Sequence, residues 1–355
     1  MNRTNVGGGL QPAAGSAGLK AGGYGPSELK PGAQNAIRVC LNVQPHERVT
    51  VITDEACRSI ADALVREIED VGAPYALFVL EDHAPRPLTA LPDAVVRDME
   101  LSPVSIFAAK AQANELGSRI QMTDIVNRRR MRHAHMVNIT EQIMAEGMRA
   151  DYREVDRLSQ RVLDIVRPAR TIRATTPAGT DVRATLDPAL RWVKTSGLIT
   201  PDKWGNLPGG EVFTSPGDVN GTFVIDGVVG DWLCDRYGSL KDMPLTIEVE
   251  HSRLVSATSS NPALRDDFWR YTHTDENSDR VGEFAIGTNI GLTSVIGHIL
   301  QDEKFPGVHI AFGNPYGAHT GATWHSSTHI DVVGTEFDID VDGVRIMERG
   351  KFLIS

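Results

Sequence analysis

Cysteine is nearly missing from this sequence. The three present, Cys40, Cys57 and Cys234 in 355 residues, are too few and too scattered for a disulfide framework or a thiolate zinc site, and they read as buried small hydrophobes. No apolar run approaches eighteen residues, so a membrane-spanning helix is not expected. The first residues lack the basic stretch followed by an apolar stretch that marks a secretory leader, and the expected location is the cytoplasm. Basic side chains are outnumbered, 36 against 46 acidic ones, for a formal charge of −10. That balance argues against nucleic acid and anionic lipid as partners, since both need a basic face. A phosphate loop is missing too: no G-x-G-x-x-G or G-x-x-x-x-G-K-[ST] follows any predicted strand.

What is there is ordinary in amount and uneven in placement. Hydrophobic residues at 41% and charged residues at 23% describe a globular protein, and the length favours two domains. Residues 1–30, rich in Gly, Ala and Pro without periodicity, read as a flexible tail. Residues 31–169 alternate apolar runs (RVTVIT, YALFVL, VSIFAAK, AHMVNIT) with helical stretches at 57–71, 91–99, 114–130, 140–149 and 152–167. That alternation predicts an α/β N-terminal domain with a parallel sheet. Residues 170–355 change to short alternating runs with turn dipeptides, such as TFVID-GVVG and FDID-VDG-VRIM. They predict a β-rich α+β C-terminal domain, interrupted by one helix over Leu292 to Leu300. Six of the eleven histidines lie between His273 and His329, all in this second half.

The sharpest local pattern is T-H-I-D-V-V. Residues two apart on a strand share a face, so His329 and Asp331 present an imidazole and a carboxylate side by side. Three further segments place polar groups in apolar settings. In N-L-P-G-G-E-V-F-T-S-P, glycines and prolines bracket Glu211 in a tight entry and exit. In V-G-E-F-A-I-G, Glu283 leads into a buried run, where an unpaired carboxylate is very unfavourable. In F-P-G-V-H-I-A-F-G, His309 sits inside a β-branched and aromatic run.

Taken in order, Glu211, Glu283, His309, His329 and Asp331, with the motifs G-E-V-F-T-S-P, G-E-F-A-I-G, D-E-K-F-P-G-V-H-I-A-F-G and H-I-D, resemble the M29 family of metallo-aminopeptidases over roughly residues 170–350. The resemblance implies that these five residues bind a pair of divalent ions and that Tyr316, in G-N-P-Y-G, belongs to the active site. It also implies a homodimer enclosing a site for small substrates. Carboxylates and imidazoles without thiolates suit zinc, cobalt or manganese, and three acids with two histidines hold two ions if one carboxylate bridges. Such a pair activates water and polarises a carbonyl, an arrangement that aminopeptidases use. A bridging carboxylate, with Glu211 the catalytic candidate, or the activated water itself would handle the proton, and the Tyr316 phenol would stabilise an oxyanion. The expected activity is removal of N-terminal residues from short peptides.

The alternative is a mononuclear iron or manganese enzyme of the same fold acting on a small aromatic or heterocyclic acid, by ring cleavage as in dihydroxypyridine dioxygenases or by hydrolytic deamination. Those dioxygenases keep the H-x-D pair, and the glutamates at 211 and 283 favour the two-ion reading.

Other features have plainer readings. His325 and His329 are four apart, but the Glu of H-E-x-x-H is missing; His319 and His325 read as loop residues near the site. D-I-D-V-D-G from Asp338 reads as a hairpin, since the twelfth position of a calcium loop would be Arg349. Arg128 to Arg130 read as a helix end favoured by its dipole, His133 and His135 as structural. Trp204 and Trp324 are expected at the pocket.

Overall fold

The computed structural model describes residues 23–354. The tail expected over residues 1–30 therefore lies mostly outside the described residues, but its last part is ordered helix. Proline at the first helical position starts α1 (Pro26–Gln34), and Leu29, Gly32 and Ala33 are buried. Among the described residues no helix is long and apolar enough to cross a membrane.

Strands β1 (Val49–Thr53), β2 (Tyr75–Val79), β3 (Val104–Ala108) and β4 (Arg132–His135) form a parallel sheet in the order β2-β1-β3-β4. The connecting helices are α2 (Arg58–Val71), α3 (Asp93–Met99) and α4 (Leu116–Arg129). Strand alternation feeds two cores. Val49, Val51 and Ile106 face α1 and α2, whereas Ile52 and Phe107 face α3 and α4. Next come α5 (Glu141–Ala145) and α6 (Tyr152–Val166), the latter capped by Asp151, whose carboxylate accepts from the Arg153 and Glu154 amides.

The second half supplies two antiparallel sheets. Strands β5 (Thr171–Thr175), β6 (Asp181–Thr185), β10 (Asp218–Ile225), β11 (Leu245–Glu250), β12 (Arg253–Ser259), β16 (Asp338–Val341), β17 (Val344–Glu348) and β18 (Lys351–Phe352) build the larger one. Strands β7 (Val193–Thr195), β9 (Glu211–Thr214), β13 (Val281–Gly287), β14 (Gly307–Gly313) and β15 (His329–Val333) build the smaller, in the order β15-β14-β13-β9-β7. The two share one core in which Val182, Phe223 and Ile247 join Phe284, Ile286, Ile310, Phe312, Ile330 and Val332. The fold is thus an α/β part with a parallel sheet followed by a β-rich part. The chain returns to the first sheet once after residue 170, where β8 (Gly205–Asn206) pairs with β4.

Two elements differ from expectation. The strand read from AHMVNIT lies earlier, at Arg132–His135. The helix read over 292–300 shrinks to α9 (Ile299–Asp302). Preceding amides at Ile296, Gly297 and His298 donate instead to the Asp302 carboxylate at 2.8–3.0 Å, a side-chain alternative that competes with helix propagation. The Asp338 segment does form a hairpin, with Val341 opposite Val344. All three cysteines are buried.

Candidate metal centre

The smaller antiparallel sheet is two-faced because its strands alternate strictly. Phe284, Ile286, Ile310, Phe312, Ile330 and Val332 point into the shared core. The opposite face then receives Glu283, His309, His329 and Asp331 from three adjacent strands, and Glu211 from the next one. Register decides what stands opposite each polar residue: Glu211 is paired with Gly287, Glu283 with Ala311, His309 with Ala285, Asp331 with Ala311 and His329 with Gly313. These neighbours are all Gly or Ala, which leaves the carboxylates and imidazoles room to converge; on their other sides His309 is paired with Val333 and Glu211 with Thr195. Gly287 has a second role. A Cβ there would sit 2.0 Å from the Phe305 carbonyl, so only glycine lets the 303–305 turn lie against this face.

All five expected ligands come together, as two overlapping triads. Glu211, Glu283 and His309 form one; Glu283, His329 and Asp331 form the other, with one donor atom from each residue inside 4.8 Å of the rest in each group. His309 Nε2 lies 3.4 Å from Glu283 and 3.5 Å from Glu211. His329 Nε2 lies 3.4 Å from Asp331 and 3.7 Å from Glu283.

Two observations test whether these residues suit divalent ions. His309 Nε2 is buried and has no hydrogen-bond partner among the described residues, an arrangement that costs free energy unless something else binds that nitrogen. His329 Nδ1 is 2.9 Å from the Asn314 carbonyl, which fixes the proton on Nδ1 and turns the Nε2 lone pair to the carboxylates, as outer partners of metal-bound histidines do. The donor set fits.

The electrostatics agree with a cluster built around cations. Burial opposes protonation of both imidazoles, yet the surrounding carboxylates outweigh it and raise His309 and His329 above the ordinary histidine value. Burial raises Glu283, aided by Glu211 and eased by the two histidines. For Asp331, burial is overcome by His329, and the carboxyl is held below the usual range.

Three partners were not read from the sequence. Lys304, 2% exposed, places its ammonium 2.7 Å from Glu211 and 2.6 Å from Glu303. Glu211 Oε1 also accepts from the Thr195 hydroxyl at 2.7 Å. Burial would raise Glu211, but Lys304 and His309 hold it low. Glu303 ends differently: burial raises it, Asp331 and Glu211 push the same way, and Lys304 only partly offsets them. The signal was in D-E-K, two opposite charges placed directly before an apolar strand, where they cannot both reach water.

Tyr316 also lies at the centre, its ring 4.4 Å from that of His329 and edge-on to Phe213 at 6.0 Å. Its backbone is left-handed, with φ of 48°, a strained conformation for an aromatic residue, held by a bond from its amide to Asn314 Oδ1 at 2.9 Å. Asn314 therefore positions both Tyr316 and His329. Although 40% of the Tyr316 surface is open, crowding by protein and then the nearby carboxylates push its phenol well above the ordinary value.

The remaining expected residues are spread out. His319 sits in α10 (Gly317–Thr320) beside Tyr316, and His325 is exposed. Trp324 lies under Arg280, whose guanidinium is 4.4 Å from the ring centroid. Trp204 packs edge-on against His133 and His135, and both histidines are buried.

Comparison with known proteins adds a family and a fold. Residues 143–352 match the model of the thermophilic metalloprotease family (M29). No curated protein sequence matches. Among solved structures, 2,5-dihydroxypyridine dioxygenase from Pseudomonas putida KT2440 is similar with a TM-score of 0.69 at 15% identity, over 94% of this chain and 99% of that one. Wild-type AmpT from Thermus thermophilus is similar with a TM-score of 0.68 at 17% identity, over 92% and 99%. At such identities the likeness establishes a shared fold, common to proteins of different chemistry.

Proposed function

The chain belongs to the thermophilic metalloprotease family (M29), a family of metal-dependent peptide hydrolases, and from that premise we propose that it is an aminopeptidase releasing N-terminal residues from short peptides. Glu211, Glu283, His309, His329 and Asp331 would hold two divalent ions, of which zinc, cobalt and manganese suit the donors. The observation that carries this reading is the sharing of Glu283 between both triads: a central carboxylate with a triad on either side serves two ions, whereas a single ion would leave the outer residues without a task. Bound there, such ions would supply a water nucleophilic near neutral pH and polarise the scissile carbonyl.

The chain's own residues divide the remaining work. Glu303, raised by burial and by its acidic neighbours, is suited to take a proton from the attacking water and return it to the leaving amine. Lys304 fixes Glu303 and Glu211 relative to each other through its two ion pairs. Glu211, with one oxygen engaged by Lys304 and Thr195, is better placed as a ligand than as that proton acceptor. Tyr316 stays neutral and donates a hydrogen bond to the developing oxyanion.

The same fold in a dioxygenase keeps a competing reading specific: one iron or manganese and a small aromatic or heterocyclic acid. Elemental analysis with an anomalous-scattering map, beside an assay of amino acids released from dipeptides, separates the two. About two ions per chain with chelator-sensitive release is the expected result. One iron per chain with oxygen consumption and no release would overturn the aminopeptidase reading.

A further inference from the structure

The carboxyl end of β4 carries polar groups without hydrogen-bond partners among the described residues. Arg119, in the first turn of α4, has a buried Nε with no hydrogen bond. The acid one turn away, Glu115, is engaged by Arg86 at 2.8 and 2.5 Å. The other acid whose field reaches Arg119 is Asp231, at the start of α7 (Asp231–Tyr237). A guanidinium of a half-buried side chain whose Nε is shielded and unpartnered suits an anion.

His135 lies within reach of that charge. The Ser105 hydroxyl lies 2.8 Å from His133 Nδ1, and His133 Nε2 lies 3.3 Å from His135 Nδ1. Among the described residues His133 is the sole hydrogen-bond partner of that buried hydroxyl, so the hydroxyl donates, since otherwise its proton would be orphaned. His133 then donates from Nε2 to His135 Nδ1, and His135 carries its proton on Nε2, which makes no hydrogen bond to the chain. Burial keeps both rings neutral, and the Arg119 charge further lowers His135. Phe107 stacks on His135 at 5.4 Å, and Trp204 closes the other side at 5.6 Å while its Nε1 donates to Asn127 of α4 at 3.0 Å. The result is a fixed donor between aromatic walls with a cation whose charge reaches it, at the end of a parallel sheet where ligands are commonly taken.

Two links tie this group to the metal centre. The Leu207 amide bonds the His135 carbonyl at 3.2 Å, and Glu211 is four residues further on, a span of at most about 14 Å. On the far side, Asp231 follows Gly230, whose amide bonds the Asp331 carbonyl at 2.7 Å, and its field reaches His329 and Asp331 as well as Arg119. An extended di- or tripeptide is roughly 7–11 Å long, within the upper bound that the segment from Leu207 to Glu211 sets.

We propose that Arg119 and His135 form the subsite for the C-terminal carboxylate of the substrate, so that the enzyme spans short peptides from metal-facing amino end to carboxyl end. This rests on the peptidase reading above and adds a recognition element to it. His133 and Ser105 are positioning residues, acting through His135.

The test compares leucyl-leucine with its C-terminal amide, on wild type and on Arg119→Met, with metal content measured on both. Wild type is expected to favour the acid, and Arg119→Met to raise KM for the acid by about 10- to 100-fold while leaving kcat, metal content and the amide unchanged. Arg119→Lys should restore part of the preference. His135→Phe, which keeps the stacking on Phe107, should shift KM in the same direction by less. Calorimetric binding of a leucyl-leucine analogue whose peptide bond is reduced to CH2–NH, against its amide, needs no turnover. Equal binding of acid and amide by wild type, or equal losses for both in Arg119→Met, overturns the subsite. Arg119-dependent preference for the acid without any cleavage would retain the subsite and remove the peptidase reading instead.

Discussion

Two buried ionic clusters sit in the two halves of this molecule, and they are built on opposite plans. In the parallel-sheet half, Arg86 at 3% exposure is flanked by Asp54 at 2.7 Å and Glu115 at 2.5 Å, with Glu81 at the rim and the Lys110 carbonyl at 2.5 Å. Asp54 also caps the turn after β1 by accepting from the Cys57 amide, and its other oxygen takes the Lys110 amide. The buried donors and acceptors of this cluster find partners within the described residues, and a cation of the chain's own sits at its centre. In the antiparallel half, three carboxylates converge with two imidazoles, and a buried imidazole nitrogen finds no partner. The first cluster is held together by the chain's own cation. The second has a donor set made for ions the chain cannot encode. Buried carboxylates are therefore not functional by burial; what separates the two is whether the local hydrogen bonding is complete.

That contrast can be broken by substitution. Glu283→Ala removes the carboxylate common to both triads, and peptide hydrolysis is expected to fall by a thousandfold or more, roughly, with loss of both ions in elemental analysis and a preserved far-UV spectrum. Asp54→Ala should do the reverse, destabilising the protein by about 3–5 kcal/mol in denaturant unfolding while bound metal per folded chain is unchanged. If Asp54→Ala lost metal and kept stability, the two clusters would not be of different kinds.

Finer tests sharpen the comparison within the metal centre. Glu303→Gln should lower kcat by about a hundredfold with full metal content; unchanged kcat would move the proton acceptor elsewhere. Ala311→Val puts a branched side chain opposite both Glu283 and Asp331 and should weaken metal binding by about 1–3 kcal/mol, whereas the same change on the core face would act on stability alone.

Acid titration gives the smallest effect. Arg86 is the main reason Glu115 lies below its ordinary value, so the stability Glu115 contributes is fully present above the unfolded-state value. It is lost only as pH falls through the depressed folded value. Asp54→Ala protein, which leaves Arg86 to Glu115, should keep this acid limb; Glu115→Gln should flatten it in urea midpoints measured below pH 5, roughly.

The ligands were legible because alternation is strict. G-E-F-A-I-G and G-V-H-I-A-F-G each place one polar residue among bulky apolar ones, and a period of two sends the bulky set inward and the polar residue outward with Gly and Ala. The alternating helices and strands of the first half were legible for a similar reason, with boundaries a few residues off where AHMVNIT was split by the turn at Asn138. The helix over 292–300 misled because its apolar spacing says nothing about the Asp302 carboxylate that collects its amides. Glu303 and Lys304 were overlooked because adjacent charges ordinarily lie in water, and nothing local shows that a turn is pressed onto a sheet through a missing Cβ at Gly287.

By itself, then, the sequence determined which side chains face together along each strand and which chemistry they offer, since both follow from residue type and a period of two. The tertiary structure decided which strands are neighbours and in what register. It made Glu283 the shared carboxylate, brought Lys304 to Glu211, set Asn314 behind both Tyr316 and His329, and placed Arg119 and His135 at the end of another sheet. Those are relations between segments far apart in the chain, set by long-range pairing and core packing that no local pattern encodes.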